Sequence, residues 1–413
     1  MTGPVRQQAM RENNLGVVLR SIAEHGAVSR AAIAAATGLT KATVSSLVDE
    51  LDRAGLVADG GAVGNVVGRP GQAVRLNPDG PVGVGLEINI DYLVCCVVDL
   101  AGHQRHLEVR LADNRTRPHG EVLDEAAELL AQGMRAAGRQ PVAGLVAAVP
   151  GLVTAQRGAL VAAPNLDWPE LEVAEELTRR IGRSSPVVSV QNEANLAALG
   201  EFWFGGKPEL ADFIHVSGEI GIGAGVVVAG ELFRGRHGFA GELGHVMVSV
   251  DGERCRCGAL GCLEQVAGQE AILRAAGLPT TTGTSLGTPE GPLAQLVELA
   301  RAEQSAAVSA IEQAGAALGV ALAGMVNVLD PAAVVLGGMF AQLAPWLAGP
   351  VRAELDRRVL GARWTDLRVE VSRLGWEAAV RGAAGSVTRA IVRDPAEYLR
   401  GRTADIVAPW HCG

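Results

Sequence analysis

Residues 242–264 read ELGHVMVSVDGERCRCGALGCLE and bring His245, Cys255, Cys257 and Cys262 within eighteen positions of one another. Three thiolates and one imidazole are the donor set of a closed tetrahedral zinc site with no position left for water. A closed site is structural, so the metal is expected to shape this loop rather than to do chemistry. Buried thiols or a disulfide are the competing reading. Gly258 and Gly261 bracket the last turn and let the backbone fold tightly around an ion. Glu242 and Glu264 flank the ligands without being needed to fill the shell, and carboxylates held there suit hydrogen bonds from hydroxyls.

Outward from this loop, the 413-residue chain is long enough for two or three domains. Hydrophobic residues make up 48% and charged residues 20%, which excludes general disorder. The N-terminus lacks the apolar segment of an export signal, and polar residues such as Glu87, Asp91, Asp99, Asn327 and Asp330 interrupt the apolar runs. No membrane span is expected. Cys95, Cys96 and Cys412 form no disulfide framework, so a reducing cytoplasm is the expected location. The net charge is −9, yet residues 1–80 hold eight basic and seven acidic side chains. The acid lies downstream, leaving the N-terminal part least repelled by nucleic acid.

That N-terminal part has the spacing of a DNA-binding head. Leu15, Val18, Leu19 and Ile22 mark a first amphipathic helix ended by Gly26. Ser29 caps a short second helix closed at Gly38, and Thr40 caps a third, in which Val44, Leu47, Val48 and Leu51 form the apolar face. With Leu56-Val57 opening a strand, the pattern fits a winged helix-turn-helix, although any three-helix bundle shares its periodicity. The outer face of the third helix is small and polar. Thr40, Lys41, Thr43, Ser45 and Ser46 are the candidate DNA contacts, with a plain solvated face as the alternative. In the Gly-rich stretch that follows, Gly68-Arg69-Pro70-Gly71 offers Arg69 either for insertion into a minor groove or as part of a simple turn.

From Val82 the periodicity changes to strands, read at 81–90, 92–100 and 106–111, then a helix near 118–137, another strand and a strand-to-helix transition at 186–205. A similar order follows, with strands at 212–218, 223–230 and 245–250, helices near 292–329 and the strand Ala333–Gly338. Two lobes with the same order of elements imply a duplicated α/β fold with a cleft between them. The stretch 280–292 reads as an exposed loop.

In this order, the head, the lobes and the loop resemble the ROK family, whose name joins repressors, open reading frames and kinases. The resemblance rests on Gly241-Glu242-Leu243-Gly244-His245, Cys255-Arg256-Cys257-Gly258, Gly261-Cys262-Leu263-Glu264, Val149-Pro150-Gly151, Asn192-Glu193-Ala194-Asn195 and Leu336-Gly337-Gly338. It covers nearly the whole chain. It implies an actin-like, two-lobed sugar-kinase fold, and members with an N-terminal winged helix resemble repressors of xylose or N-acetylglucosamine genes. It further implies structural zinc at His245, Cys255, Cys257 and Cys262, and a sugar against Asn165, Asn192, Glu193, Glu242, His245 and Glu264. His245 would then serve metal and ligand through different nitrogens.

The departures from the family's kinases bear on activity. Their first phosphate loop, Asp-x-Gly-Gly-Thr, is replaced by Glu87-Ile88-Asn89-Ile90-Asp91, and the Gly-Thr preceding their second by Glu219-Ile220. Side chains there hold backbone amides away from phosphates, and the carboxylates repel them. Glu193 replaces the aspartate that deprotonates the sugar hydroxyl, and a displacement of about 1 Å can cost about 10²-fold in rate. ATP is therefore not an expected cofactor and catalysis is not expected.

The expectation is a sugar-responsive transcriptional regulator of carbohydrate genes, a repressor, acting as a homodimer or higher homo-oligomer on double-stranded DNA. A head over residues 1–78 precedes lobes at 79–198 and 199–375, with a C-terminal helix near 376–400 completing the first lobe. An ATP-dependent sugar kinase with a DNA-binding appendage, or a ligand-blind DNA-binding protein under a protein partner, are the alternatives.

Overall fold

The computed structural model describes residues 3–63, 71–155, 158–182, 185–186, 188–207, 209–280 and 291–401. Arg69, most of the 280–292 stretch and Cys412 lie outside the described residues.

The apolar residues predicted for three helices close a small core. Helices α1 (Gly3–His25), α2 (Arg30–Thr37) and α3 (Lys41–Arg53) bury Leu15, Val18, Leu19, Ile22, Ile33, Val44, Leu47, Val48 and Leu51 together. The helix starts follow the sequence signals: Ser29 Oγ accepts from the Ala32 amide at 3.2 Å and Thr40 Oγ1 from the Thr43 amide at 3.1 Å. A left-handed Gly38 ends α2, and α2 and α3 meet at 116°, within the range of a helix-turn-helix. Strands β1 (Val28–Ser29), β2 (Val57–Val63) and β3 (Gly71–Leu76) form the wing sheet in the order β1-β3-β2.

The first lobe contains β4 (Val82–Ile88), β5 (Tyr92–Asp99), β6 (Gln104–Leu111), α4 (His119–Ala136), β7 (Val142–Val149), α5 (Val173–Ile181) and β10 (Val188–Asn192). A ribbon of β8 (Leu152–Val153) and β9 (Leu160–Ala162) projects from it. After α6 (Glu193–Phe204), the second lobe contains β11 (Phe213–Gly218), β12 (Ile222–Val228), β13 (Glu231–Leu232), α7 (Glu264–Ala267), α8 (Gln269–Ala275), α9 (Pro292–Arg301), α10 (Ser305–Leu329), β14 (Ala333–Gly338), α11 (Met339–Arg358) and β15 (Arg368–Val371). The chain closes with α12 (Ala378–Arg393) and α13 (Pro395–Leu399).

The sheets run β10-β7-β4-β5-β6 and β13-β12-β11-β14-β15. In each, the lobe's first three strands are an antiparallel meander and its last two add in parallel beside the first strand. Identical topology in both lobes is the duplication inferred from element order. By length and composition α10 could cross a bilayer, but Ile311, Ala314, Leu318 and Leu322 on it are buried in the second-lobe core beside α11.

One expected strand is absent. Residues 245–250 alternate poorly between faces: Val246, Met247 and Val250 are all exposed. Instead a 3₁₀ turn, Leu243–His245, leads into an irregular loop with an isolated Met247–Cys262 bridge. A ladder would hold His245 in an extended run, whereas this turn lets its ring reach the thiols.

Small residues draw α12 against its neighbours. A Cβ on Gly85 of β4 would lie 2.4 Å from the Val380 carbonyl, and one on Gly382 would lie 1.9 Å from the Leu196 carbonyl of α6. Helix α12 therefore packs closely on β4 and α6. Its far end, through Val387, Ala390 and Ile391, shares one apolar cluster with Leu15, Val18 and Leu19 of α1.

Candidate functional site

The six predicted ligand residues, Asn165, Asn192, Glu193, Glu242, His245 and Glu264, line one cleft of about 300 Å³ between the lobes. Local devices place four of them. Gly241 has φ +98° and lies so close to Ala224 that a Cβ would be 2.0 Å from its carbonyl oxygen, which presses the Glu242–His245 turn onto β12. Asn192 caps α6 by accepting from the Asn195 amide at 3.0 Å, while its Nδ2 donates to the Gly151 carbonyl at 3.0 Å and to Glu193 Oε2 at 3.1 Å. Glu264 Oε2 accepts the Ile222 amide at 3.2 Å, within the glycine loop Gly221–Gly225.

The carboxylates strain one another. Burial, then the negative charges of Glu242, Glu87 and Glu264, hold the Glu193 carboxyl well above the usual range. Burial also raises Glu242, with His245 opposing and Glu264 reinforcing the shift. Glu87 is pushed up to about 7 by burial, against hydrogen bonds from Tyr92 and Asn89 that favour its charge. Such groups are ready acceptors, or donors when protonated, for a polyhydroxy ligand.

Sequence reasoning missed part of the lining. Asn89, Ser217, Glu219 and Trp376 also face the cleft, and Glu87 lines it rather than only marking a lost phosphate loop. Tyr92 Oη donates to Glu87 Oε1 at 2.6 Å, and its ring meets Trp376 edge-on with centroids 6.4 Å apart. Trp376 lies far along the chain from every motif. Only the fold places it at the cleft.

Beside the cleft, His245, Cys255, Cys257 and Cys262 place one ligand atom each within 4.8 Å of the others. His245 Nδ1 is 3.7 Å from Cys255 Sγ, and Cys257 Sγ is 3.7 Å from Cys262 Sγ. The edge of a zinc–thiolate tetrahedron with bonds of ~2.3 Å is about 3.8 Å, whereas a disulfide needs about 2.05 Å. The donor set and spacing fit a closed metal site. Metal at Nδ1 would leave Nε2 of the same ring for the cleft that His245 also lines.

In the head, Lys41, Ala42, Ser46 and Asp49 on α3 are exposed, whereas Thr43 and Ser45 are half-buried. The Thr40 and Thr43 hydroxyls lie 2.9 Å apart. Arg30 reaches across from α2 to Asp49, at 2.7 Å.

A ROK family model matches residues 83–390 and a MarR family model residues 17–62. The xylose repressor of Caldicellulosiruptor bescii is 28% identical over 400 residues, covering 94% of this chain and 98% of the relative. The crystal structure of a ROK family transcriptional regulator described as a homolog of the E. coli MLC protein superposes with a TM-score of 0.75 at 26% identity, covering 97% of this chain and 99% of that one. A ROK family glucokinase from Streptomyces griseus, solved with glucose and AMPPNP, gives a TM-score of 0.64 at 28% identity, covering 74% of this chain and 98% of its own. With the duplicated lobes, the cleft and the metal loop all inside the matched span, the chain belongs to the ROK family.

Proposed function

We propose that this protein is a sugar-responsive DNA-binding repressor: a head over about residues 1–78 binds an operator, and the cleft between the lobes senses the sugar. The observation that carries this reading is the path of α12. Its first residues, Ala378 and Ala379, line the cleft, and its last turn packs on α1 of the head. Sixteen helical residues span about 24 Å, so one rigid element touches both sites. A sugar that favours one interlobe angle would move α12 with the first lobe and reset the head. The shift can be no larger than the sugar's differential affinity for the two states.

The similarity to the xylose repressor and to the MLC homolog supports the same assignment. In this reading the sugar hydroxyls meet Asn165, Asn192, Glu193, Glu242, His245 and Glu264. Zinc held by His245, Cys255, Cys257 and Cys262 keeps the loop, and with it Glu242 and Glu264, in place. The protein acts in the cytoplasm as a symmetric dimer, whose two α3 helices enter major grooves about one helical turn apart through Thr40, Lys41, Thr43, Ser45 and Ser46, with Arg69 inserting into the minor groove.

The kinase-like relatives favour a second reading, catalysis, through the retained Gly221–Gly225 loop. Glu193 and the changed first loop argue against it. The deciding experiment selects bound fragments from genomic DNA, then measures their affinity by fluorescence anisotropy with and without pentoses, hexoses and amino sugars. A sugar-dependent change in operator affinity is expected. Failure to select any DNA sinks the repressor reading, and ATP turnover above that of a Glu193→Ala variant would establish the kinase.

A further inference from the structure

The cleft is lined by five glutamates, Glu87, Glu193, Glu219, Glu242 and Glu264, and among the described residues by no lysine or arginine. A phosphate group can do without basic side chains if glycine-loop amides or a helix N-terminus are open to it. Here each such place is filled by the chain's own carboxylate. At the glycine loop, Glu264 Oε2 takes the Ile222 amide at 3.2 Å and lies 2.6 Å from where a Gly221 Cβ would be. The N-terminus of α6 is capped by Asn192, whose Nδ2 donates to the carboxylate of Glu193, the first residue of that helix, at 3.1 Å. Glu87 sits beside the first turn of α12, where the Val380 amide favours its charged form. A phosphate entering any of the three would have to displace a glutamate side chain or share the space with it.

Building on the sugar-sensor reading above, we propose that this cleft takes only unphosphorylated sugars, neutral or amino-substituted, and rejects sugar phosphates and nucleotides. The glutamates filling the three anion positions are the selectivity device. Trp376 also lines the cleft, and an aromatic ring there suits the apolar side of a pyranose or an ammonium group. The repressor then responds to sugar before any phosphorylation step, and a kinase consuming that sugar would silence the signal.

The test titrates the zinc-loaded full chain with D-xylose, D-glucose and N-acetylglucosamine, each against its terminal phosphate ester, by isothermal calorimetry. At least one free sugar should bind, with its ester weaker by about tenfold or more, as like charges in a partly desolvated site require. An ester that binds as tightly as its parent overturns the selectivity inference and leaves the sugar reading standing. Silence toward every free sugar and ester overturns the sugar reading, and the inference with it. A Glu87→Gln, Glu219→Gln double variant that still unfolds in one cooperative melt should narrow the gap between sugar and ester. An unchanged ratio would show that these carboxylates are not its cause.

Discussion

Arg20 Nη1 donates to the Arg393 carbonyl at 2.8 Å, bonding α1 of the head to the last turn of α12. A Cβ on Gly16 would lie 3.0 Å from both atoms, so α1 approaches as closely as glycine permits. Arg20→Ala removes one partly exposed hydrogen bond, worth about 1 kcal/mol. The sugar affinity of the variant should match the parent's. The ratio of operator affinities with and without sugar should fall by up to about fivefold, read by anisotropy. An unchanged ratio would exclude this contact from the coupling path.

The metal loop can be tested without touching a ligand. Gly261 has φ +69°, and a Cβ there would lie 1.7 Å from the Ser249 carbonyl oxygen, so Gly261→Ala cannot keep the two arms of the loop together. The variant should bind substoichiometric zinc by atomic absorption and melt lower, as should the parent after chelation and the Cys257→Ser variant. Sugar affinity should fall with the metal, because in the proposed arrangement His245 serves both. A chelated protein with an unaltered melt and unaltered sugar binding would refute the site.

Two buried groups give stability opposite slopes with pH. Glu87, raised from 4.5 to about 7, is held back by burial only when ionised. Its folded form keeps a proton longer than the unfolded chain, so stability is lost as pH rises from about 4.5 through about 7. His215, lowered from 6.5 to about 4 by burial, works the other way, and stability is lost as pH falls from about 6.5 toward 4. The two slopes partly cancel in the parent between about pH 4.5 and 6.5. In Glu87→Gln melts, stability should rise above pH 7 by at most about 3 kcal/mol and the acid-side loss should steepen. A parallel pH profile would place the charge of Glu87 elsewhere.

The sequence carried the local rules well. Ser29, Thr40 and Gly38 bound their helices because capping is decided within four residues, and the candidate metal ligands are brought together within eighteen. It failed where contacts beyond the nearest few residues decide. Residues 245–250 have strand composition, but the convergence of His245 on Cys255 overrides it. Trp376 joins the cleft only because α12 crosses back onto β4. Glu87 was legible as a lost phosphate loop, yet its role as a buried acceptor for Tyr92 and Asn89 emerges only when β4 and β5 pair.

The face of α3 separates scaffold from contact. Thr40 Oγ1 accepts the Thr43 amide, so Thr40→Ala should lower stability by about 1 kcal/mol before it affects DNA. Ser46 and Lys41 are exposed on the same helix, and among the described residues no acidic side chain shares the first turn with Lys41. Lys41→Ala should leave the melt within about 0.5 kcal/mol, weaken all DNA sequences alike and reduce the slope of log affinity against log salt by about 1, the signature of a lost phosphate contact. Ser46→Ala should keep the salt slope and lower preference for the operator over random DNA, as the loss of a base-edge contact would. If both variants bind operator and random DNA as the parent does, α3 presents only a solvated face and the head docks through another surface.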